Sequence, residues 1–598
     1  MSGIRYIDGI RLQRSLSAGI QRVISRQDYL NKINVFPVPD SDTGTNLAFT
    51  LSMIEDEING KIHSDIHIMG ASIADAALDN ARGNSGAILA QFLVGFAEGL
   101  ADLHKITSRE FAHAAQMAKH YAYEALLVPQ EGTILTVISD WAACIQSKAH
   151  KVRDFRKLLA QALDTARQSL ADTPQKLAVL AKANVVDAGA QGFVDFLEGI
   201  QDYIERGELT FARFNAAATP DVPAANSDYT DTYRFCTECL VKNDPVDRIG
   251  LKEALQGQGD SIVIAGTKSK ARIHIHTDEP KTVIEICRRF GDVTGEKADD
   301  MWRQQADAQR TQRPFVVVVD SGCDLSEEDM ETHNIHMVPV RLNFGDRHYV
   351  DKVTMSVDEF WDEMAQNPIH PQTSQPTPGD FRRQYQFLAS HYEAAISIHL
   401  PAALSGTYQS AWTATRAVNN FPTRVIDSYS GSIGLGLIAI RASEGIEAGM
   451  SFDSVVRLID QAIANTTIYI GLENLNNVVK GGRVSPSKKR IANLFRINPV
   501  LTFSAKGVHN IGVTFGKKDK VGKLIRFVRK RLPEKTPYRV GISHALNPTG
   551  LERAVNYFTP LVGENNIFTS EIGPALGVHS GPGGLVIAIQ TLEDSLNE

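Results

Sequence analysis

The chain has 598 residues, with 62 Lys and Arg against 69 Asp and Glu for a formal net charge of −7. That balance gives no electrostatic footprint for nucleic acid, and no apolar run reaches the roughly 18–20 residues a membrane-spanning helix needs. Five cysteines, at 144, 236, 239, 287 and 323, do not make a disulfide framework. The first six residues lack a signal-peptide core, so the cytoplasm is the expected compartment.

Residues 10–212 read mostly as helices, with 73–93 as one continuing apolar pattern, and so as an all-α block. Inside it, Asn34-Val35-Phe36-Pro37-Val38-Pro39-Asp40-Ser41-Asp42-Thr43-Gly44-Thr45-Asn46 sets two carboxylates two residues apart before a glycine and a helical pattern. Asp40 and Asp42 are hard oxygen ligands suited to magnesium, which takes one or two carboxylates beside nucleotide phosphates. Gly44 allows a close turn, and a helix starting near Thr45 presents free amides to an anion. An Asp-x-Asp before a Gly is also the pattern of a capped turn or a calcium-type loop.

Three further small-residue breaks follow: Arg82-Gly83-Asn84-Ser85-Gly86, Glu131-Gly132-Thr133-Ile134-Leu135-Thr136, and Asn184-Val185-Val186-Asp187-Ala188-Gly189-Ala190-Gln191-Gly192. Four such breaks can converge on one ligand. Together they resemble, over about 1–214, the nucleotide-binding domain of the fatty acid kinase family, which is similar to the L subunit of dihydroxyacetone kinase. The resemblance implies ATP, with magnesium on Asp40, Asp42 and Asn34. It also implies nucleotide contacts from Thr43, Gly44, Thr45, Asn46, Asn84, Ser85, Gly86, Thr133, Asp187 and Gly189. Ser41 departs from the glycine usual there.

Residues 215–229 are small, polar and proline-bearing, the composition of a linker. A middle segment, 230–312, shows strand-like runs at 233–241, 261–265 and 271–276 and then a polar helix over 298–311. On a strand, His274 and His276 share one face while Ile273 and Ile275 take the other. Cys236 and Cys239 are an odd number apart and fall on opposite faces, so only one can join the histidines. Imidazole with thiolate is zinc chemistry; solvent-facing histidines beside an inert buried cysteine is the other reading. The segment resembles the middle domain of fatty acid kinases, which implies zinc held by Cys236, His274 and His276, with Cys239 outside the set.

From residue 315 strand-like runs alternate with helical patterns, an α/β region. Pro371-Gln372-Thr373-Ser374-Gln375-Pro376, Leu404-Ser405-Gly406-Thr407, Lys480-Gly481-Gly482-Arg483 and the run 572–583 around His579 place hydroxyls, a guanidinium and an imidazole on glycine-bearing turns. Such groups suit a carboxylate, although each is also an ordinary cap, turn or surface residue. With Val319-Asp320-Ser321-Gly322-Cys323-Asp324-Leu325 they resemble the DegV family over about 313–596. The resemblance implies one bound fatty acid, its carboxyl held by Thr373, Ser405 and His579 and its acyl chain in an apolar tunnel, with Arg483 at the mouth. Cys323 is unusual in the first loop, and 516–520 lack an arginine the family often has.

The expected architecture is therefore multidomain: an all-α nucleotide-binding domain (1–214), a linker (215–229), a small α+β middle domain (230–312) and a two-lobed α/β DegV-like domain (313–598). The expected activity is ATP- and magnesium-dependent phosphorylation of the carried fatty acid to an acyl phosphate, with Arg483 and His579 orienting the carboxylate as catalytic groups. A dihydroxyacetone-type (glycerone) kinase and a non-catalytic lipid-binding protein are the competing classes. Expected partners are a fatty acid, a second copy of the chain and, transiently, a membrane or an acyltransferase.

Overall fold

A computed structural model describes residues 3–36, 42–206, 233–303, 314–418, 421–482, 497–516, 518–533 and 536–592. Asp40, Ser41, the 215–229 segment and Arg483 lie outside the described residues. The chain divides into two compact units, Met1–Arg310 and Thr311–Glu598.

The first unit joins a helical segment to a four-stranded sheet. The helices Thr43–Asn59, Gly83–Glu98, Ile134–Lys148 and Ala188–Arg206 contribute to one core. Within it Phe92, Trp141 and Phe193 meet edge-on or tilted at 5.3–5.9 Å between ring centroids. Such pairs add about 0.5–1.5 kcal/mol each beyond their burial, so the three helices that carry them are held in register. The apolar pattern over 73–93 is two helices rather than one: Ile66–Asn80 stops, Ala81 and Arg82 are extended, and Gly83 restarts the chain at φ +62. A Cβ on Gly83 would also lie 2.5 Å from Asn46 Nδ2, so a side chain there is both strained and crowded.

The sheet runs Asp260–Gly266, Lys270–Thr277, Phe235–Lys242, Asp292–Asp300, antiparallel throughout. The polar helix expected over 298–311 begins later: Ala298–Asp300 finish the fourth strand against Phe235–Thr237, Met301, Trp302 and Arg303 are helical, and 304–313 lie outside the described residues. One face of the sheet packs Cys239, Ile273 and Ile275 under the helices Arg248–Leu255 and Pro280–Arg288. The other face carries polar residues and meets the helical segment, where Gly266 N donates to Gln91 Oε1 at 2.6 Å. That second face exists because the strands alternate every residue.

The second unit holds a parallel four-stranded sheet in the order Thr423–Asp427, Ala394–His399, Phe315–Asp320, Ile335–Val338. Beside it is a six-stranded mixed sheet from Gly507–Phe515 to Ile567–Glu571. The helix Ile433–Glu447 packs against strands of both sheets. It is apolar around almost its whole circumference, the pattern of a helix with no solvent face. The architecture is thus a helical N-terminal region, a strand-containing middle and a C-terminal α/β region. No helix among the described residues is long and apolar enough to cross a membrane.

Candidate functional site

In the first unit, four helix N-termini converge. A Cβ on Gly189 would lie 2.7 Å from Ser85 Oγ, which brings the starts of Ala188–Arg206 and Gly83–Glu98 together. Asp187 accepts the Ala190 amide at 2.7 Å and the Ile134 amide, which adds the start of Ile134–Lys148. Asn46, one turn into Thr43–Asn59, abuts Gly83. Unpaired amides and helix dipoles at such ends favour anions, by about 0.3–1 kcal/mol per terminus for an exposed charge.

Asn34, Asp42, Thr43, Asn46, Gly83, Asn84 and Ser85 line one cavity with Cys236, His274 and His276 from the sheet. Asp42 is the residue before the first helical turn yet makes no side-chain capping bond to it, and it lines the cavity. Asn84 Oδ1 is buried with no hydrogen-bond partner among the described residues.

Other sequence candidates sit behind this lining. Thr45 is tied to Asn31, accepting from Nδ2 at 2.9 Å and donating its amide to Oδ1 at 3.0 Å. Gly44 makes no turn. It lies within the helix, where a Cβ would come 2.2 Å from the Gln27 carbonyl, so glycine is there for close packing on the neighbouring helix. Gly86 abuts Thr50 in the same way. Thr133 accepts the Leu135 amide at 3.4 Å and so caps its helix. Asp187 and Gly189 hold helix ends together without lining the cavity.

Asp187 is fully buried, and desolvation pushes its carboxyl up to about 6 despite the two amides it accepts. Native protein therefore binds this proton more tightly than unfolded chain does, and ionised Asp187 destabilises the fold above pH 6. Asp187→Asn keeps an acceptor oxygen for the Ala190 amide and removes the charge. Its melting temperature, measured without nucleotide, is expected to exceed wild type at pH 8, and the difference should shrink as pH falls from 6 towards 4. A difference that stays constant with pH would contradict this account.

On the sheet, Cys236 is paired in register with His276, and Glu238 with His274. Donor atoms of Cys236, His274 and His276 lie within 4.8 Å of one another, the one such metal-type group among the described residues. His274 Nδ1 stands 3.2 Å from Glu238 Oε1 and 3.6 Å from Cys236 Sγ, and His274 Nε2 is buried without a hydrogen-bond partner. Burial pushes His276 down to about 3, helped by its histidine neighbour, so it is neutral with a lone pair to give. Burial also raises the Cys236 thiol, and the nearby Glu238, Asp299 and Asp42 carboxylates add to that against Lys297. Only a cation would hold a thiolate there. Two imidazoles, one of them with an orphaned ring nitrogen, and one thiol are a donor set that fits zinc. Cys239 lies in the core on the opposite face, beside Cys287.

Sequence reasoning missed Glu238. It is 1% exposed and surrounded by Arg82, Arg272, Lys297 and His274. Burial alone would raise its carboxyl, but Lys297, the His274 hydrogen bond and Arg82 outweigh that and hold it well below the usual range. Glu238 is two residues from Cys236 and so on the same strand face, which was the available signal.

The second unit has a cavity with an apolar wall that includes Leu400, Leu404, Ile470, Leu501, Phe503 and Val586. Thr373, Ser405, His579 and Ser580 supply polar groups to the same cavity. Ser405 Oγ shares a 2.7 Å hydrogen bond with Thr407 Oγ1 and accepts the Thr407 amide at 3.3 Å, which orients it at the start of the helix Thr407–Thr415. His579 lies near the end of the helix Pro574–Ser580, and a Cβ on Gly481 would be 2.1 Å from its Nδ1. Ser580 Oγ, another group the sequence reading passed over, is buried with no hydrogen-bond partner among the described residues.

The loop at Asp320 to Asp324 builds the walls of this cavity. Asp320 accepts the Leu400 amide at 2.9 Å, Ser321 Oγ accepts the Val340 amide at 2.9 Å, and Asp324 accepts the Ser432 hydroxyl at 2.7 Å and the Gly573 amide at 2.9 Å. Leu400, Val340 and Ser432 all line the cavity. Cys323 is buried and desolvation raises its thiol, which makes it an inert packing residue.

Three family models match consecutive stretches: a DAK2 domain at 37–202, a middle domain of the fatty acid kinase type at 232–308, and an uncharacterised protein of the DegV family at 314–592. One chain matches all three models in succession. Protein YloV of Bacillus subtilis is 32% identical over 315 residues, covering 50% of this chain and 57% of the relative. An uncharacterised protein of Staphylococcus saprophyticus is 28% identical over 353 residues, covering 57% and 63%. The chain thus spans less than two thirds of these curated relatives. Among solved structures, a DegV lipid-binding protein from Thermotoga maritima is 27% identical, covering 47% of this chain and 99% of that one at TM-score 0.43. DegV from Bacillus subtilis, described as a fatty acid binding protein, is 26% identical with the same coverages and TM-score.

Proposed function

We propose that this chain is an ATP-dependent fatty acid kinase that carries its own acceptor, holding a fatty acid in the DegV domain and converting its carboxylate to an acyl phosphate. The observation that carries this reading is the pairing, in one chain, of an anion site at converging helix ends beside metal-type donors with an apolar cavity that has hydroxyl and imidazole groups in its wall.

The anion site takes the nucleotide phosphates at the amides and side chains of Thr43, Asn46, Asn84 and Ser85. Asp42 and Asn34, with Asp40 from the same motif, would hold magnesium, which would supply positive charge beside the phosphates. Cys236, His274 and His276, which line the same cavity, would hold zinc, and bound zinc would supply a Lewis acid there. Thr373, Ser405 and His579 hold the carboxylate, and His579 with Arg483 orients it and meets developing charge. In the transfer, a carboxylate oxygen bonds to the γ-phosphorus, the bond to the bridging oxygen breaks, and ADP leaves with that electron pair. Catalysis of this kind is mainly positioning and charge stabilisation.

Lipid extracted from the purified chain is expected to be fatty acid, and adding that acid should stimulate ADP release from ATP while glycerone does not. Stimulation by glycerone alone would favour a triose kinase. Bound fatty acid without ATP turnover, in the presence of magnesium and zinc, would favour a lipid-binding protein.

A further inference from the structure

Glu238 is one buried carboxylate that touches both sides of the first unit's cavity. Its Oε1 accepts the Gly83 amide at 2.7 Å and stands 3.2 Å from His274 Nδ1. Its Oε2 receives Arg82 and Arg272 at 3.0 Å each, with Lys297 at 3.7 Å. Gly83 opens the helix whose next two residues, Asn84 and Ser85, line the cavity, and His274 lines it from the sheet. No other residue described above bonds both the helix start and a member of the Cys236, His274 and His276 group.

We propose that Glu238 is a positioning residue that couples metal binding at Cys236, His274 and His276 to nucleotide binding at the start of the helix Gly83–Glu98; the proposal rests on the metal and nucleotide assignments made above. An acceptor at Nδ1 leaves the proton on that nitrogen and directs the Nε2 lone pair to the metal. A cation drawing electrons through the imidazole strengthens the Nδ1–H bond to Oε1, the atom that also holds the Gly83 amide. Metal occupancy therefore sets how firmly the 83–85 turn is held, and the turn sets where phosphates meet Asn84 and Ser85. Coupling of this kind is reciprocal: zinc tightens nucleotide and nucleotide tightens zinc by the same factor.

A glutamine cannot replace this carboxylate. With its oxygen at the Gly83 amide and His274, its NH2 faces Arg82 and Arg272, two groups that only donate, and this repulsion drives the side chain out of the place from which it links them.

The test measures ADP affinity with magnesium on the full chain, loaded with zinc or stripped by a chelator, by calorimetry. In wild type, stripping is expected to weaken ADP by at least about fivefold, the lower end of ordinary site-to-site couplings. In Glu238→Gln, zinc should bind about 10–100-fold more weakly, as for other losses of a group behind a metal ligand. At zinc concentrations that refill the site, the variant's ADP affinity should change by less than about twofold, well under the usual coupling range. Magnesium–ADP binding by the variant reports that its first unit is folded, and unchanged fatty-acid retention reports the same of the second. Wild-type ADP affinity that is indifferent to bound zinc overturns the coupling while leaving the metal centre intact, and this arm needs no variant. Full coupling in zinc-loaded Glu238→Gln overturns the role of Glu238. A wild-type chain that binds ADP and never zinc overturns the metal assignment and the coupling with it.

Discussion

Asp42→Asn is expected to lower ATP turnover by about 10²–10³-fold or more, the scale on which removing one charge-stabilising group acts at a reacting centre. Fatty-acid retention should be unchanged. The residue lines the cavity at the converging helix ends and its carboxylate makes no capping bond to the helix it precedes, so the substitution removes a charge without removing a cap. An amide of the same size keeps the packing and loses the affinity for a hard cation. Steady-state ADP release at saturating magnesium is the measurement. Turnover near wild type would show that the metal sits elsewhere.

Gly481→Ala is expected to loosen fatty acid about as much as His579→Ala does. The added Cβ would lie 2.1 Å from His579 Nδ1 and 2.6 Å from its Cε1, so the imidazole must leave its place or the turn must shift. Overpacking of this kind costs about 1–3 kcal/mol, equivalent to about a 5- to 150-fold loss of retention. The exchange rate of a labelled fatty acid measures it. A wild-type rate in Gly481→Ala, with His579→Ala impaired, would mean the ring moves aside without losing its hold.

Much of the architecture was legible because the period of apolar residues changes along the chain. The helical block, the strand pattern at 271–276 and the later α/β alternation each follow from spacing, and the same-face placement of His274 and His276 follows from the pleat. The fourth strand of the middle sheet was not legible: Asp292–Asp300 is polar and exposed enough that its last residues mimic the start of a helix. Gly44 was read as a turn glycine and lies inside a helix, while Gly481 does stand in the turn after Asn476–Lys480; neither has a positive φ, and both serve close approaches that only three dimensions reveal. Glu238 was passed over for a related reason, despite its same-face spacing from Cys236. A lone glutamate on a strand reads as a surface charge, and its four cationic or imidazole partners come from positions 82, 272, 274 and 297.

The most direct test of the account is to trap the product. The purified chain, loaded with the fatty acid it retains, is mixed with ATP, magnesium and zinc in the presence of hydroxylamine, which converts an acyl phosphate to a hydroxamate. The account predicts the hydroxamate of that fatty acid, formed in step with ADP and lost together with it in Asp42→Asn. ADP formed without hydroxamate, at fatty-acid saturation, would contradict it.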